Sequence, residues 1–512
     1  MRAKMTEDER IFFDTRARKS VSFRSCWPAI CVLLWLVWLP GCQEDNPPVP
    51  SEKSRGDLVD RAPVELSVLV VDDEPLAAAI ESQWNARAEG SLTVGSLTVE
   101  RATSPEILEI LNGNRIQTDL IVYPVHWLGA LVEREIVIPF PDDLANDPRF
   151  ALPELLPMLR QHEVTWGPKM YASSLGSPSL VLYYRPDALE AAKLSPPETW
   201  DDYDRMAAAL AEFSQREAAG SSGNVKYAVA EPLANGWAGQ VLLARAAAYA
   251  KHRNNYSTLF RYKTMEPLIA GPPFIRALGQ LVAAAQRAPT NALELTPGDV
   301  RQLFESGQCI TAIAWPSMDA ESELQPGMVE SYAFAELPGA SQVYHVQDEQ
   351  WQDRVDGEET RVPLLGVAGR LLSVTSASRR TRAAWQAIAW LTSDELGLAI
   401  SPQSIATGIF RTTQLENPRA WFGERTSLVT ARQYGEVIAM LQTREAWLCS
   451  LRIPGRDRYM SVLDEAVQRA VRGEATPEEA LRLAADEWRR ISADLGIESQ
   501  SRAYRRSIGL DF

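Results

Sequence analysis

Residues Met170–Tyr203 read MYASSLGSPSLVLYYRPDALEAAKLSPPETWDDY. Leu180–Tyr184 (LVLYY) is a short apolar run, the pattern of a strand covered on both faces. Pro196 and Pro197 then break the chain, and Thr199 stands where its hydroxyl caps a helix starting at Trp200. Tyr203, Met206, Leu210 and Phe213 recur at spacings of three and four, which predicts a helix with one buried face. Strand, break and capped helix form one unit of a layered α/β domain.

The same grammar extends outward. Leu66–Val71 (LSVLVV) predicts a buried strand, followed by Asp72, Asp73, Glu74 and Pro75 at the start of a helix running to Trp84. Acidic residues and proline suit that position, because the helix dipole favours anions and the first turn has no use for the proline N–H. Leu97–Glu100 reads as a strand, Ser104–Leu111 as a helix and Asp119–Tyr123 (DLIVY) as a third buried strand. This alternation predicts α/β architecture with a parallel, doubly wound sheet. Downstream, Phe304–Trp315 (FESGQCITAIAW) reads as a helix end, a glycine turn and a strand. Thr476-Pro477-Glu478-Glu479 is a capping box. Leu481, Ala484, Trp488, Ile491 and Leu495 supply the stripe of the helix that follows, which Gly496 ends. Residues 498–512 read as a peripheral tail. No internal repeat or low-complexity block is present.

The chain has 512 residues, 46% hydrophobic, with a formal net charge of −15 from 52 basic and 67 acidic side chains. It is long enough for two or three domains with cores. Nucleic-acid binding is not indicated, since phosphate recognition needs clustered Lys and Arg. Five Cys and four His argue against a disulfide scaffold and a multi-histidine metal centre. Arg16, Arg18, Lys19 and Arg24 precede the apolar run Cys26–Pro40, which is too short to span a bilayer and fits an export signal. The run ends Leu39-Pro40-Gly41-Cys42, which resembles a bacterial lipobox with an unusual proline, so Cys42 is the expected lipidation site. Ordinary cleavage and an uncleaved signal anchor are the competing readings. Without residues 1–41, 45 basic and 63 acidic groups remain, a net −18. Residues 42–62, polar and proline-rich, read as a flexible tether. Cys309 and Cys449 lie far apart in apolar surroundings and are expected as buried thiols, although an exported chain permits a bond.

No phosphate-binding loop, dinucleotide fingerprint, zincin helix, nucleophile elbow or paired C-x-x-C occurs after the signal. His162-Glu163 opens like a zincin motif but lacks the second histidine. No carboxylate pair stands out as a glycosidase dyad.

The stretch Met170–Tyr203 resembles a segment of the bacterial family 1 extracellular solute-binding proteins, with Tyr184, Asp187, Pro197, Thr199 and Trp200 on the pattern and Arg185-Pro186 departing from it. Further blocks follow in the family's order: Thr118–Ile121, Phe304–Gly307 running into Thr311–Pro316, Glu336–Gly339, Gly366–Glu395 with Trp385, Ala389, Leu391, Thr392 and Ser393, and Gly473–Leu481. The family comprises receptors of ABC importers for sugars and related solutes, and includes the maltose-binding protein. The resemblance implies the two-lobed periplasmic-binding-protein fold of type II, with doubly wound sheets, a hinge crossed three times and no cofactor. It divides the chain into a signal peptide (1–41), the tether (42–62), lobe 1 (63–176), lobe 2 (177–337), a hinge crossing with the rest of lobe 1 (338–415), the rest of lobe 2 (416–497) and the tail (498–512). Crossings are expected near Gly176–Pro178, between Pro338 and Pro363, and near Arg411–Pro418.

Ligands of open α/β sheets sit beyond the carboxyl ends of strands. That rule selects Asp72, Asp73 and Glu74, whose carboxylates suit adjacent sugar hydroxyls and equally serve as helix caps or solvated charge. The resemblance adds Tyr123, His126 and Trp127 after the next strand, with core packing as the alternative. It also adds Glu231, Asn235 and Trp237 in the loop EPLANGW, where an indole offers a flat face to the C–H side of a sugar ring. Trp315 and Ser317 flank Pro316, although the family's aromatic more often follows the proline. Tyr459, beside Arg456, stands where the family contributes a late cleft residue. Ser174 lies at the first crossing, and Arg370 suits an acidic group. Pro178 occupies a position where sugar receptors carry a polar group, which departs from maltose-like specificity. The implied protein is a monomeric, lipid-anchored receptor that hands a small polar, sugar-like solute to ABC importer membrane subunits and performs no chemistry. The alternatives are an exported glycan-active lipoprotein enzyme and a ligand sensor on the same fold.

Overall fold

The computed structural model describes residues 64–87, 94–104, 116–220, 225–318, 332–422 and 426–510. Cys42, the signal and the tether lie outside the described residues, as does the helix expected at 104–111 beyond Ser104.

The first sheet has five strands in the order Val94–Ala102, Val64–Val71, Leu120–Pro124, Arg370–Val374, Ser173–Ser174. Val64–Val71 runs parallel to its two neighbours, whereas Arg370–Val374 runs antiparallel to both of its own. Alternate residues serve opposite faces. Val68, Val70, Leu120, Val122, Leu372 and Val374 pack with Leu76, Ile80, Trp84 and Trp385. Leu69, Val71, Ile121, Tyr123 and Leu371 join a second core that includes Trp127 and Leu128. Both faces are covered, which explains strands apolar throughout.

The second sheet has the order Ala333–Glu336, Val181–Tyr184, Cys309–Ala314, Tyr227–Ala230. It is mixed, not parallel. Cys309–Ala314 is parallel to Tyr227–Ala230, but Val181–Tyr184 is antiparallel to both of its neighbours. The chain enters this sheet at Gly176–Pro178, so its first strand leaves the crossing that the two parallel strands approach. Helix Trp200–Gly220 follows the expected cap: the Asp202 N–H donates to Thr199 Oγ1 at 3.2 Å, and Trp200, Tyr203, Met206 and Leu210 are buried. Thr476 and Glu479 form their capping box at the start of Pro477–Leu495, and Leu481, Ala484, Trp488 and Ile491 are buried.

Three strands of chain pass between the sheets side by side, at Gly176–Pro178, Gly366–Arg370 and Thr407–Arg411. Their contacts are backbone-close. A Cβ on Gly176 (φ +106) would meet Gly408 O at 2.0 Å, and one on Gly369 (φ +136) would meet Ser177 Oγ at 1.9 Å. The Arg370 N–H donates to Gly176 O at 3.0 Å, and Ser177 Oγ donates to Ala368 O at 2.9 Å. The second passage falls later than Pro338–Pro363 because the hairpin Gln342–His345/Gln350–Asp353 packs on helix Ala238–Ala250, and Leu364–Leu365 still pairs with Leu448–Cys449.

The expected peripheral tail is instead part of the folded body. Residues Ile497–Ser507 form a helix burying Ala503 and Tyr504. Tyr504 Oη accepts from the Leu259 N–H at 3.2 Å, and Arg506 pairs with Glu133 at 3.0 Å. A polar composition concealed this helix, since only one narrow face is covered. Cys309 and Cys449 are buried free thiols. No described helix is long and apolar enough to cross a membrane.

Candidate functional site

Val64–Val71 ends at Asp72, which adopts a positive φ of 51° and turns the chain into helix Glu74–Ala86. Asp73 caps that helix by accepting from the Leu76 N–H at 3.2 Å. The same carboxylate meets Arg370 Nε at 2.8 Å and accepts from Ser404 Oγ. Arg370 Nη2 donates to the carbonyl of Asp72 at 3.0 Å. Burial pushes the Arg370 pKa down, with Asp73 opposing. The Asp73–Arg370 pair is thus a neutralised polar wall that also ties the 401–407 loop to the first sheet. His126 follows Leu120–Pro124. Burial first, and then the cations Arg456 and Arg370, hold its pKa well below 6.5, so the ring is neutral near pH 7. Its Nδ1 has no hydrogen-bond partner.

The facing wall comes from the second sheet. Trp315 directly follows Cys309–Ala314, and Trp237 is the N-cap residue of helix Ala238–Ala250. Their ring centroids lie 5.3 Å apart at 53°. Trp237 remains half-buried while Trp315 is 3% exposed. Trp315 Nε1 donates to Ile405 O at 2.9 Å, next to the residue that bonds Asp73. Asp464 fixes the Trp237 loop by accepting from the N–H groups of Gly236 and Gly239, both at 2.7 Å. Burial raises the Asp464 pKa, against those two bonds and Arg456. Gln468, one turn further along the same helix, donates to Leu233 O at 3.2 Å and Asn235 Oδ1 at 3.0 Å. Arg456 opens this helix, and its Nε is buried without a hydrogen bond. The bond of Trp315 to Ile405, beside the Ser404–Asp73 bond, brings the end of the second sheet to the edge of the first here.

The fold therefore brings together Asp72, Asp73, Arg370 and His126 on one side, and Trp237, Trp315 and Asn235 on the other. Ser317 lies two residues past Trp315, its Oγ buried and unpartnered. Other candidates are occupied elsewhere. Tyr123 is fully buried because its strand continues to Pro124; it sits opposite Leu371, and its hydroxyl is 2.8 Å from Ser373 Oγ. Trp127 is 4% exposed in the same core. Glu231 turns inward, taking two bonds from Arg245 Nη2 at 2.7 and 2.9 Å and one from Tyr203 Oη at 2.9 Å. Tyr459 is buried with its hydroxyl on Ser492 and Gln500. Ser174 Oγ accepts from the Gly176 N–H at 3.0 Å within the first crossing. Glu74 is exposed and paired with Arg101 at 2.8 Å. Sequence reasoning missed Ser404, Ile405, Asp464 and Gln468. Arg456, Asp464 and Gln468 recur at helical spacing, which was the available signal.

The chain matches the bacterial extracellular solute-binding protein family over residues 98–397, more than half of its length. Similar solved structures include an ABC transporter solute-binding protein of Agrobacterium vitis S4 with bound D-mannitol (TM-score 0.61, 18% identity, covering 84% of this chain and 99% of that one). Another, from Agrobacterium radiobacter K84 in complex with ribitol, has TM-score 0.59 and 18% identity, covering 84% and 100%. The sugar-binding protein MalE of Xanthomonas citri has TM-score 0.59 and 16% identity, covering 84% and 98%. These likenesses share the two-lobed fold described above. By its matched residues, this chain belongs to the bacterial extracellular solute-binding protein family.

Proposed function

We propose that this protein is the receptor of an ABC importer, anchored through a lipid on Cys42 and acting as a monomer, which closes its lobes on a small carbohydrate-like solute and releases it unaltered. The observation that carries this reading is the seam itself. Trp237 and Trp315 face each other at 5.3 Å on one lobe, and the Asp73–Arg370 pair stands on the other. An aromatic platform opposite fixed polar groups suits a polyol or sugar, with C–H faces on indole and hydroxyls on carboxylate, guanidinium and imidazole. Asn235 and Ser317 supply further polar atoms, whereas the Asp72 carboxylate accepts from the N–H and the hydroxyl of Ser104. The binding of ribitol and D-mannitol by proteins of this fold supports the ligand class. Lobe closure is favoured by the contacts a ligand makes only in the closed form. The closed face is the surface the importer's membrane subunits recognise.

The test is a thermal-shift screen of the purified protein against sugars and polyols, followed by calorimetry on hits. A ligand at 100 times its Kd adds ~2.7 kcal/mol of stability. A screen in which no carbohydrate raises the melting temperature, or in which a hit is chemically converted, removes this reading. Replacement of Cys42 by Ser should release the protein from membranes; continued lipid labelling of that variant would refute the anchor.

A further inference from the structure

Helix Ala238–Ala250 carries Trp237 at its start and Lys251 at its end. Thirteen residues at 1.5 Å each put these ends about 20 Å apart. Beyond Lys251 lies a hollow of about 520 Å³, walled by the Lys251–Leu259 segment, the 357–359 turn, residues 445–451 and the end of the last helix. That volume is within the ~300–1,000 Å³ of small-ligand sites.

Its charges are unevenly matched. Glu358 serves two cations, Arg253 and Arg354, each at 2.9 Å. Glu359 is held by Arg444, which is not part of the wall. Glu445 is exposed. The Lys251 ammonium makes no hydrogen bond or ion pair among the described residues; it lies 5.4 Å from the centre of the Trp447 ring. Burial lowers its pKa, with only the Cys449 thiol opposing. A lysine at a helix C-terminus gains about 0.3–1 kcal/mol from the dipole. Lys251 is half-buried, so its ammonium keeps contact with the solvent in the hollow and is open to an anion there. Two more wall residues are unsatisfied. Thr258 and Ser450 are 5% and 2% exposed, and neither hydroxyl has a partner. The rest of the lining mixes polar His252, Asn255 and Ser507 with an apolar part that includes Leu259, Leu448, Leu451 and Ile508.

We propose that this hollow is a second binding site, separate from the inter-lobe cleft, for a small organic carboxylate with an apolar body. Lys251 supplies the counter-charge, Leu259, Leu451 and Ile508 receive the apolar part, and rotation of the Thr258 and Ser450 hydroxyls adds donors. The site stands whether or not the cleft binds a sugar.

Phenylacetate and octanoate, with phenylacetamide and octanamide as uncharged counterparts, test it by calorimetry on the purified protein. At least one acid should bind, its amide at least tenfold more weakly. Lys251→Met should weaken the acid at least tenfold and leave the amide unchanged, and Trp237→Ala should alter neither. Tyr256 is 72% exposed at the mouth, so Tyr256→Glu retains the fold even where Lys251→Met does not, and its added charge should weaken the acid several-fold. Failure of both acids to bind, equal affinity for acid and amide, unchanged affinity in either pocket variant, or loss in Trp237→Ala would each overturn the proposal.

Discussion

The indole N–H of Trp315 donates to the carbonyl of Ile405 at 2.9 Å, joining the end of a second-sheet strand to the loop that Ser404 fastens to Asp73. Ile405 itself is 62% exposed, so the bond, not side-chain packing, makes this contact. Trp315→Phe keeps an aromatic ring but removes the donor. A neutral hydrogen bond contributes about 0.5–1.5 kcal/mol net. The variant should bind the cleft ligand roughly three- to tenfold more weakly and show a larger radius of gyration by small-angle scattering. An unchanged radius and affinity would mean the bond does not hold the lobes.

Trp237 differs from its neighbour in keeping part of its ring open. Its loop is held by Asp464 through backbone bonds that do not involve the indole. Trp237→Ala should therefore weaken the cleft ligand by more than tenfold while leaving the far-ultraviolet spectrum and cooperative unfolding in place. Calorimetric affinity equal to the parent would take Trp237 out of the cleft.

Glu231 sits in the same loop with the opposite role. It is 2% exposed and carries two bonds to Arg245, whose guanidinium also lies 4.1 Å from the centre of the Trp200 ring. Removing one partner of a buried ion pair costs about 3–5 kcal/mol because the other charge stays buried. Glu231→Ala should lower stability by that amount in urea titrations, with ligand affinity per folded molecule unchanged. A loss of affinity without loss of stability would make Glu231 a ligand group after all.

These contrasts mark what a sequence of this kind discloses. Caps and strand ends are local, so Thr199, Thr476 and the Asp72–Asp73 turn were readable from neighbours a few residues away. For Glu231 and Tyr123 one physical detail each escapes the sequence: an inward partner fourteen residues on, and a strand that runs one pair further. The fastening of Asp73 by Ser404 spans 331 residues and that of Gly236 by Asp464 spans 228, so no window of sequence contains either pair. The alternation of helix and strand also implied a parallel second sheet, because periodicity reports burial but not strand direction.

The crossings set a steric test. Gly176 has φ +106, and a Cβ there would lie 2.0 Å from the carbonyl oxygen of Gly408. Gly473 has φ +73 with no atom within 4 Å of its Cβ position. Left-handed backbone costs a non-glycine residue about 1–3 kcal/mol in either place, but only Gly176→Ala must also push two chain crossings apart. It should lose at least ~2 kcal/mol more than Gly473→Ala by denaturant unfolding. Equal losses would show that the crossings separate freely.

Glu163 provides a pH signature next to the second crossing. Its side chain is 2% exposed and Oε1 accepts from the Gly366 N–H at 2.9 Å. Burial raises its pKa from 4.5 to about 6, against the nearby Arg452. A carboxyl raised on folding contributes stability that is complete below pH 4.5 and lost as pH rises through about 6. The rise from 4.5 to about 6 corresponds to about 2 kcal/mol. His162, whose pKa burial lowers to about 4, acts oppositely: its contribution is present above pH 6.5 and lost as pH falls toward 4. The two trends overlap in the parent protein, so the comparison is with Glu163→Gln, in which His162 is retained and Glu163 no longer titrates. Between pH 4.5 and 7.5 the variant should gain about 2 kcal/mol relative to the parent. A stability difference independent of pH would show that Glu163 titrates alike in the folded and unfolded chain.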